Sequence, residues 1–226
     1  MDDVSRMTPE QKLLYYKQMQ EKGKTDATKS ASEWKSYLRT SARNYRHPYY
    51  EQIMIWLQKP DAIACGNYRL WVEKMGRYIR RGEKGIAIVD TTTNHPYVKY
   101  LFDVSQTGET KNSRDVILWQ VKDEDVAPLA RILSKQYLGN TDRLEEAVDL
   151  AVRTTSEEFI SEVDIGDLSA IDSGGIGSYD NDKRIETLSR LLYLSVEYEV
   201  LSRCLPLYAD LAVTDEGCQR LPSLTQ

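Results

Sequence analysis

Basic and aromatic side chains alternate along one stretch of the chain, from Arg39 to Lys99. Cationic side chains can follow a phosphate backbone, and flat rings can stack on unpaired bases at roughly 1–3 kcal/mol per base. The chain has 15 Tyr and 4 Trp but only 2 Phe, a balance typical of rings that keep a polar group in contact with water. These residue types in this order favour binding of single-stranded nucleic acid.

The densest part of this stretch is the segment 76–85, which holds four cations and three glycines. Its residues 82–85 predict a turn, where glycines would let backbone N–H groups approach a phosphate closely. On a preceding strand, Tyr78 and Arg80 would share one face. The alternative interpretation is a β-turn whose charges are simply solvated.

The candidate binding residues are cations for phosphates and tyrosines for bases. Those in the dense segment are Arg77, Tyr78, Arg80, Arg81 and Lys84. Tyr45 or Tyr68 would supply further stacking, and the neighbouring Arg46 and Arg69 would add positive charge. The tryptophans are expected to anchor the core instead: Trp34, Trp56 and Trp71.

The sequence offers no recognisable catalytic or metal-binding pattern. Its two histidines, His47 and His95, are far apart and each precedes a proline, and neither H-E-x-x-H nor Cys-x-x-Cys occurs. A P-loop is absent, and the Gly-rich residues 174–177 follow an acidic helical stretch, not the strand that a dinucleotide site requires. We therefore expect no enzymatic activity, no bound metal and no cofactor.

Charge is distributed unevenly along the 226 residues, although the net charge is only −5. The first 100 residues contain 18 Lys and Arg against 11 Asp and Glu, while the rest contain 12 against 24. This asymmetry indicates a nucleic-acid-facing half, or else two modules with different surfaces and no such partner.

Composition also narrows the class of protein and its compartment. With 41% hydrophobic and 29% charged residues, the chain is expected to be soluble and globular. No run of 18 apolar residues or secretory signal is present, so we expect no membrane association. Three scattered cysteines favour a reducing, cytoplasmic location.

The hydrophobic pattern predicts an α+β fold, in which N-terminal helices pack on a small antiparallel sheet and a mainly helical segment follows. Capping boxes at Thr8 and Ser30 open two helices, the first ending at Gly23 before a loop that reaches Ser32. Further helices are predicted at 49–58, after Asn67, and at about 124–137, 142–160 and 182–205, with a loop at 172–178. Strands are predicted at 86–89, 97–104 and 116–121.

Several motifs of the first half, taken together and in order, resemble the N-terminal domain of ArdC-type antirestriction proteins, which occur on plasmids and conjugative transposons. The resemblance covers about residues 32–122. The residues that carry it are Asn44-Tyr45-Arg46, residues 58–62, Trp71, residues 76–86 and Phe102-Asp103-Val104-Ser105-Gln106-Thr107. It implies a domain that binds single-stranded DNA and usually precedes another activity.

In that family a zinc metallopeptidase-like domain often follows, but the second half of this chain lacks H-E-x-x-H and is acidic and helical. We therefore divide the chain into a basic, aromatic-rich α+β domain (1–122) and an acidic helical segment (123–226). The chain is either the front of a longer protein or one in which a helical module replaces the enzyme. The acidic segment is interpreted as a helical bundle. Alternatively, its acidic face mimics DNA or docks on the basic surface to tune binding, or residues 189–207 present a groove for a partner.

The leading expectation is sequence-independent binding of single-stranded DNA by the N-terminal module of a mobile-element protein. The alternative is a protein–protein interaction module, such as an adaptor or an inhibitor of a host defence enzyme, whose basic patch meets an acidic partner. Further domains or host proteins are the other expected partners.

Overall fold

A computed structural model gives the fold of the chain and describes residues 4–162, 181–206 and 208–209. The helices in these residues are α1 (Pro9–Ala27), α2 (Ala31–Arg43), α3 (Tyr49–Gln58), α4 (Asp123–Gln136), α5 (Leu144–Glu162) and α6 (Asn181–Cys204). The strands are β1 (Cys65–Asn67), β2 (Tyr78–Ile79), β3 (Ile86–Asp90), β4 (Tyr97–Asp103) and β5 (Thr107–Gly108). The fold is α+β as predicted: three N-terminal helices, a small antiparallel sheet packed with them, and a mainly helical second part.

Contacts divide the chain into two compact units. In the described residues, the first unit comprises 4–27 and 43–118, and the second comprises 28–42 and the residues from 119 onward. The sequence grouped α2 with the first 122 residues, whereas its contacts place it in the second unit. The domain division at residue 122 stays a prediction, because compactness alone does not test independent folding.

The first unit is built on a three-stranded antiparallel sheet with the order β1-β4-β3, against which α1 and α3 pack. Its core cluster consists of Met54, Ile55, Ala62, Ile86, Ile88 and Leu101. The outer edge of β3 is closed by Gln58, whose side-chain amide donates to the carbonyl of Ala87 and accepts from its N–H, both at 2.9 Å.

Strands β2 and β5 form a second, two-stranded sheet that lies in line with β3 and β4 along the chain. Tyr78 pairs with Gly108 and Ile79 with Thr107, while farther along Ile86 pairs with Leu101. Residues 78–90 therefore run antiparallel to residues 97–108 as one ribbon. The pairing is interrupted at residues 80–85 on one side and at residues 104–106 on the other.

The second unit is helical. Helix α4 packs on α5, and α5 packs on α6. Helix α2 joins α6 through hydrogen bonds from Trp34 Nε1 to Ser195 Oγ (2.8 Å) and from Ser41 Oγ to Glu199 (2.7 Å). Tyr198 is fully buried, with the amine of Lys35 5.2 Å from the centre of its ring.

Helix starts agree with the predictions, whereas one helix end does not. Thr8 and Gln11 make both hydrogen bonds of a capping box, and Ser30 Oγ accepts from the N–H of Glu33. Gly23, however, lies inside α1, which continues to Ala27. The predicted loop from residue 22 was therefore wrong over residues 22–27, because Gly23 serves helix packing instead of termination.

The third predicted strand was also wrong. Residues 116–121 form no strand in the structure, and Ile117 is 92% exposed. The expected short helix after Asn67 is a π-helical turn, Leu70–Lys74, whose Leu70 N–H donates to Asn67 Oδ1 at 2.8 Å. The predicted loop at 172–178 lies outside the described residues.

Candidate nucleic-acid interface

The four-residue turn at the centre of the ribbon begins at Arg80. The N–H of Glu83 donates to the carbonyl of Arg80 at 3.3 Å, so the turn starts two residues earlier than predicted. Gly82 has φ +88°, at the position where type II turns favour glycine, and space around it is open. We call residues 80–84 the basic turn.

Gln106, in the connection between β4 and β5, holds the basic turn in place. Its side-chain nitrogen donates to Glu83 Oε2 at 3.0 Å and to the carbonyl of Lys84 at 2.8 Å. Its own carbonyl accepts from the N–H of Arg80 at 3.0 Å. Both ends of the turn are thus fixed by one residue, so the cations project from a constrained backbone.

Gln106 is fixed in turn by the buried carboxylate of Asp103. Asp103 caps a 3-10 turn (Val104–Gln106) by accepting from the N–H of Ser105, and the N–H of Asp103 donates back to Gln106 Oε1. The other carboxylate oxygen accepts from the N–H groups of Ile63 and Ala64 at 2.7 and 2.8 Å. The motif Phe102–Thr107 therefore anchors the basic turn to the body of the first unit.

Three cations of the basic turn are exposed: Arg80, Arg81 and Lys84. The guanidinium of Arg80 donates to the carbonyl of Ser105 at 3.2 Å. Within the described part of the chain, the side chains of Arg81 and Lys84 make no hydrogen bond or ion pair. Their positive charge is thus available to an anionic partner, with Glu83 the one acidic side chain of the turn.

Tyr78 lies beside the turn with its ring on a glycine. A Cβ at Gly108, its cross-strand partner, would come within 2.3 Å of Tyr78 Cζ, so the ring lies directly over that backbone. The ring is 51% exposed. One part of the tyrosine is therefore supported by main chain, while the rest is open to solvent, as a stacking platform requires.

Arg77 does not join this exposed set. It is 8% exposed, and its guanidinium donates to Thr107 Oγ1 at 2.8 Å and to Glu109 at 2.9 Å. Strand alternation separates Arg77 from Tyr78, which project to opposite faces, whereas Arg80 and Arg81 lie beyond the end of β2. Arg77 stabilises the ribbon, and we remove it from the candidate phosphate contacts.

The remaining candidates lie elsewhere in the first unit. Tyr45 is 48% exposed, and Arg46 donates to its hydroxyl at 3.0 Å and lies 5.6 Å from its ring centre. Tyr68 is 60% exposed, while the neighbouring Arg69 forms an ion pair with Glu73 at 2.7 Å. Both tyrosines remain accessible, but the two arginines already have partners within the protein.

Two of the tryptophans of the basic stretch are buried, as the sequence predicts. Trp71 is 2% exposed and donates from Nε1 to the carbonyl of Phe102 at 2.8 Å, and Trp56 is buried in α3. Trp34 is half-buried in the second unit. Trp56 and Trp71 thus contribute to the core of the first unit, whereas Tyr45, Tyr68 and Tyr78 are exposed.

Sequence reasoning did not assign roles to Asp103, Gln106 or Gly108. None of them has a positive charge or an aromatic ring that would suggest nucleic-acid contact. The contacts that join them to the basic turn, to residues 63–64 and to Tyr78 link residues more than twenty apart along the chain. The only signal was the recurrence of Phe102–Thr107 with the Gly-rich segment in the family resemblance. The hydrogen bonds from Gln106 to the basic turn give that pairing a structural reason.

The described residues contain no group of three or more His, Cys, Asp and Glu side chains that could hold a metal ion. Burial raises the pKa of the Cys65 thiol, which disfavours the reactive thiolate. None of the helices in this part of the chain combines the length and the apolar character needed to cross a bilayer.

Comparison of the chain with protein-family models, with curated proteins and with solved structures gives no match. What the surface binds is therefore inferred from its charges, its exposure and its contacts.

Proposed function

We propose that this chain binds single-stranded DNA without sequence preference, and that the basic turn and Tyr78 form the centre of the binding surface. The observation that carries the proposal is a constrained turn whose cations Arg81 and Lys84 lack partners among the described residues, next to an exposed ring seated on Gly108. Cations would bind phosphates and the ring would stack on an unpaired base.

The absence of sequence preference follows from the chemistry of these contacts. Phosphate contacts carry no sequence information, and every base has a face on which a ring can stack. Duplex DNA would bind more weakly, because its bases are already stacked and paired. Arg80, Arg81 and Lys84 are assigned to phosphates, and Tyr45 or Tyr68 would contact bases farther along the strand.

In biological terms, we propose a cytoplasmic binding module of a plasmid or conjugative-transposon protein, without catalytic activity of its own. The support is the resemblance of about residues 32–122 to the N-terminal domain of ArdC-type antirestriction proteins. The Gly-rich basic segment and the Phe102–Thr107 element, in that order after Trp71, are specific to that resemblance only when taken together.

Fluorescence anisotropy of a labelled oligothymidine of about 30 nucleotides, titrated between about 25 and 200 mM salt, tests the proposal. Three phosphate contacts predict a log–log slope near −2, from roughly −0.7 per contact for single strands. Arg80→Ala/Arg81→Ala should weaken binding and bring the slope to about −0.7.

The matched control is Arg131→Ala/Lys135→Ala, which removes the same charge from exposed positions on α4. It should leave both the affinity and the salt slope unchanged. The proposal fails if the unaltered protein does not bind the oligothymidine at about 25 mM salt, or if the control weakens binding as much as the turn variant.

The alternative, a protein–protein interaction module, is favoured by one observation. Ile117 is 92% exposed and the adjacent Leu118 is 40% exposed, on a segment with a strand-like sequence that forms no strand. Exposed apolar groups of this kind are typical of surfaces that contact another protein. Absence of oligonucleotide binding in the salt series would leave this as the better function.

A further inference from the structure

Tyr100 is an exposed ring in the central strand of the three-stranded sheet. Strand β4 lies between β1 and β3, and Tyr100 is 41% exposed there. Alternation along β4 puts Tyr100 and Phe102 on one face, while Leu101 and Asp103 point to the other and are buried. The face of β4 that carries Tyr100 therefore reaches solvent.

Gly85 brings the backbone of the basic turn against this ring. A Cβ at Gly85 would lie 2.9 Å from Tyr100 Cβ and 3.2 Å from Phe102 Cζ, which no larger residue could tolerate without movement. Gly85 directly follows Lys84, so the last cation of the turn is one residue away from the backbone that touches Tyr100.

Two of the exposed tyrosines thus lie at the two ends of the basic turn, each against a glycine: Tyr78 on Gly108 and Tyr100 on Gly85. Because both belong to the same ribbon, the Cα atoms of Tyr100 and Gly108 are at most about 29 Å apart, at about 3.6 Å per residue. A short single strand can span such a distance, with its phosphates facing the cations between the two rings.

We infer that Tyr100 is a second base-stacking position, so that bound single-stranded DNA runs from Tyr78 over the basic turn to the face of β4. This inference rests on the proposed function and extends it by giving the strand a path. Arg80, Arg81 and Lys84 supply the charge that is complementary to the phosphates between the two stacked bases.

The test compares Tyr100→Ala with Tyr97→Ala in the full chain, using oligothymidines of about 4 and about 12 nucleotides. Tyr97 lies on the same strand with similar exposure but on the opposite face, which makes it a matched control. We expect Tyr100→Ala to weaken binding of the longer strand about 5- to 100-fold and to change binding of the shorter one much less. Tyr100→Phe, which keeps the ring, should bind like the unaltered protein.

Equal affinities of Tyr100→Ala and Tyr97→Ala for the longer strand would overturn the inference while leaving the proposed function intact. Failure of the unaltered protein to bind either strand would instead overturn the proposed function. In case Tyr100→Ala does not fold, an iodouracil-substituted strand can be photocrosslinked to the unaltered protein. Crosslinks at both Tyr78 and Tyr100 support the path, and crosslinks at Tyr78 alone contradict it.

Discussion

At the scale of single residues, Arg77 and Arg81 show how far residue type predicts role. Both belong to one cluster of cations, yet Arg77 is buried against Thr107 and Glu109, while Arg81 is exposed. Strand alternation predicts that Arg77 and Tyr78 point to opposite sides. It cannot say which side is covered, because that depends on residues 107–109 of the partner strand.

A second set of charged residues lies in the first unit and takes no part in the proposed binding. Lys99 forms ion pairs with Glu51 and Asp90, each at 2.9 Å, and His47 Nδ1 lies 2.7 Å from Glu51. Hydrogen bonds from Thr92 and Lys99 lower the pKa of Asp90. Burial alone would raise the pKa of Glu51, but hydrogen bonds from His47 and Lys99 bring it below its ordinary value.

These pKa shifts predict loss of stability in acid. A carboxylate whose pKa is lowered by folding stabilises the protein above its unfolded pKa, near 4, and this contribution is lost as the pH falls toward the folded pKa. The free energy of unfolding should therefore decline below about pH 5. Lys99→Met should lower stability by about 1–3 kcal/mol at neutral pH, since Lys99 is partly exposed, and should flatten the acid decline.

Urea unfolding at neutral pH and near pH 4 measures both effects. Lys84→Met is the control, because Lys84 is exposed and its side chain has no partner in the described residues. A Lys99→Met variant that loses as much stability in acid as the unaltered protein would show that these ion pairs do not set the pH dependence.

At the scale of elements, the sequence predicts those whose signals are local. Helix α3 was predicted with its observed limits, since Pro48 precedes it and Pro60 follows it. Residues 116–121 read Val-Ile-Leu-Trp-Gln-Val, an apolar run typical of a strand, but a strand needs an edge to pair with. At Ala87 the outer edge of β3 is already occupied by the Gln58 side chain, which no pattern in the sequence reveals.

Gly23 shows the same limit in a helix. Glycine often ends helices, yet α1 continues past it because α1 and α3 approach each other there. A Cβ at Gly23 would lie 2.5 Å from Leu57 Cδ1 and 2.8 Å from Ile53 Cγ2. A side chain at this position would force Leu57 or Ile53 to shift, and that constraint arises from tertiary packing.

Gly23→Ala should therefore destabilise the protein, although alanine favours helices by about 1 kcal/mol over glycine. Overpacking costs about 1–3 kcal/mol, so we expect a net loss of up to about 2 kcal/mol in urea unfolding. Adding Leu57→Ala should relieve part of the destabilisation caused by Gly23→Ala. A double-mutant cycle in urea unfolding measures the coupling energy between the two positions. A stabilised single variant would mean that α1 and α3 can separate at no cost.

At the scale of the whole molecule, the uneven charge follows the compact units as well as the halves of the sequence. Residues 1–27 and 43–118 contain 17 Lys and Arg against 13 Asp and Glu, and the other residues contain 13 against 22. The basic turn thus belongs to the unit with positive net charge. The charge count along the sequence predicts this difference between the units, because most residues of each unit are contiguous in the sequence.

Helix α2 is the exception, and it could not be assigned from the sequence. Its apolar stripe predicts a buried face, with Tyr37 and Leu38 each 4% exposed. A stripe does not identify what covers it. In the structure α2 packs within the second unit, where Trp34 bonds to Ser195 and Lys35 lies over Tyr198.

This arrangement predicts that a chain truncated after residue 122 self-associates, even though the truncation follows the sequence-based domain boundary. Removing α4 to α6 would leave the buried face of α2 exposed to water, at about 25 cal/mol for each Å² of apolar surface. We expect the truncated chain to associate in size-exclusion chromatography and to bind a hydrophobic dye, whereas the full chain does neither.

Replacing Trp34, Tyr37 and Leu38 by serine in the truncated chain should restore a monomer. A monomeric truncated chain that retains all three residues and binds no dye would contradict the placement of α2, and would show that residues 1–122 fold without the rest.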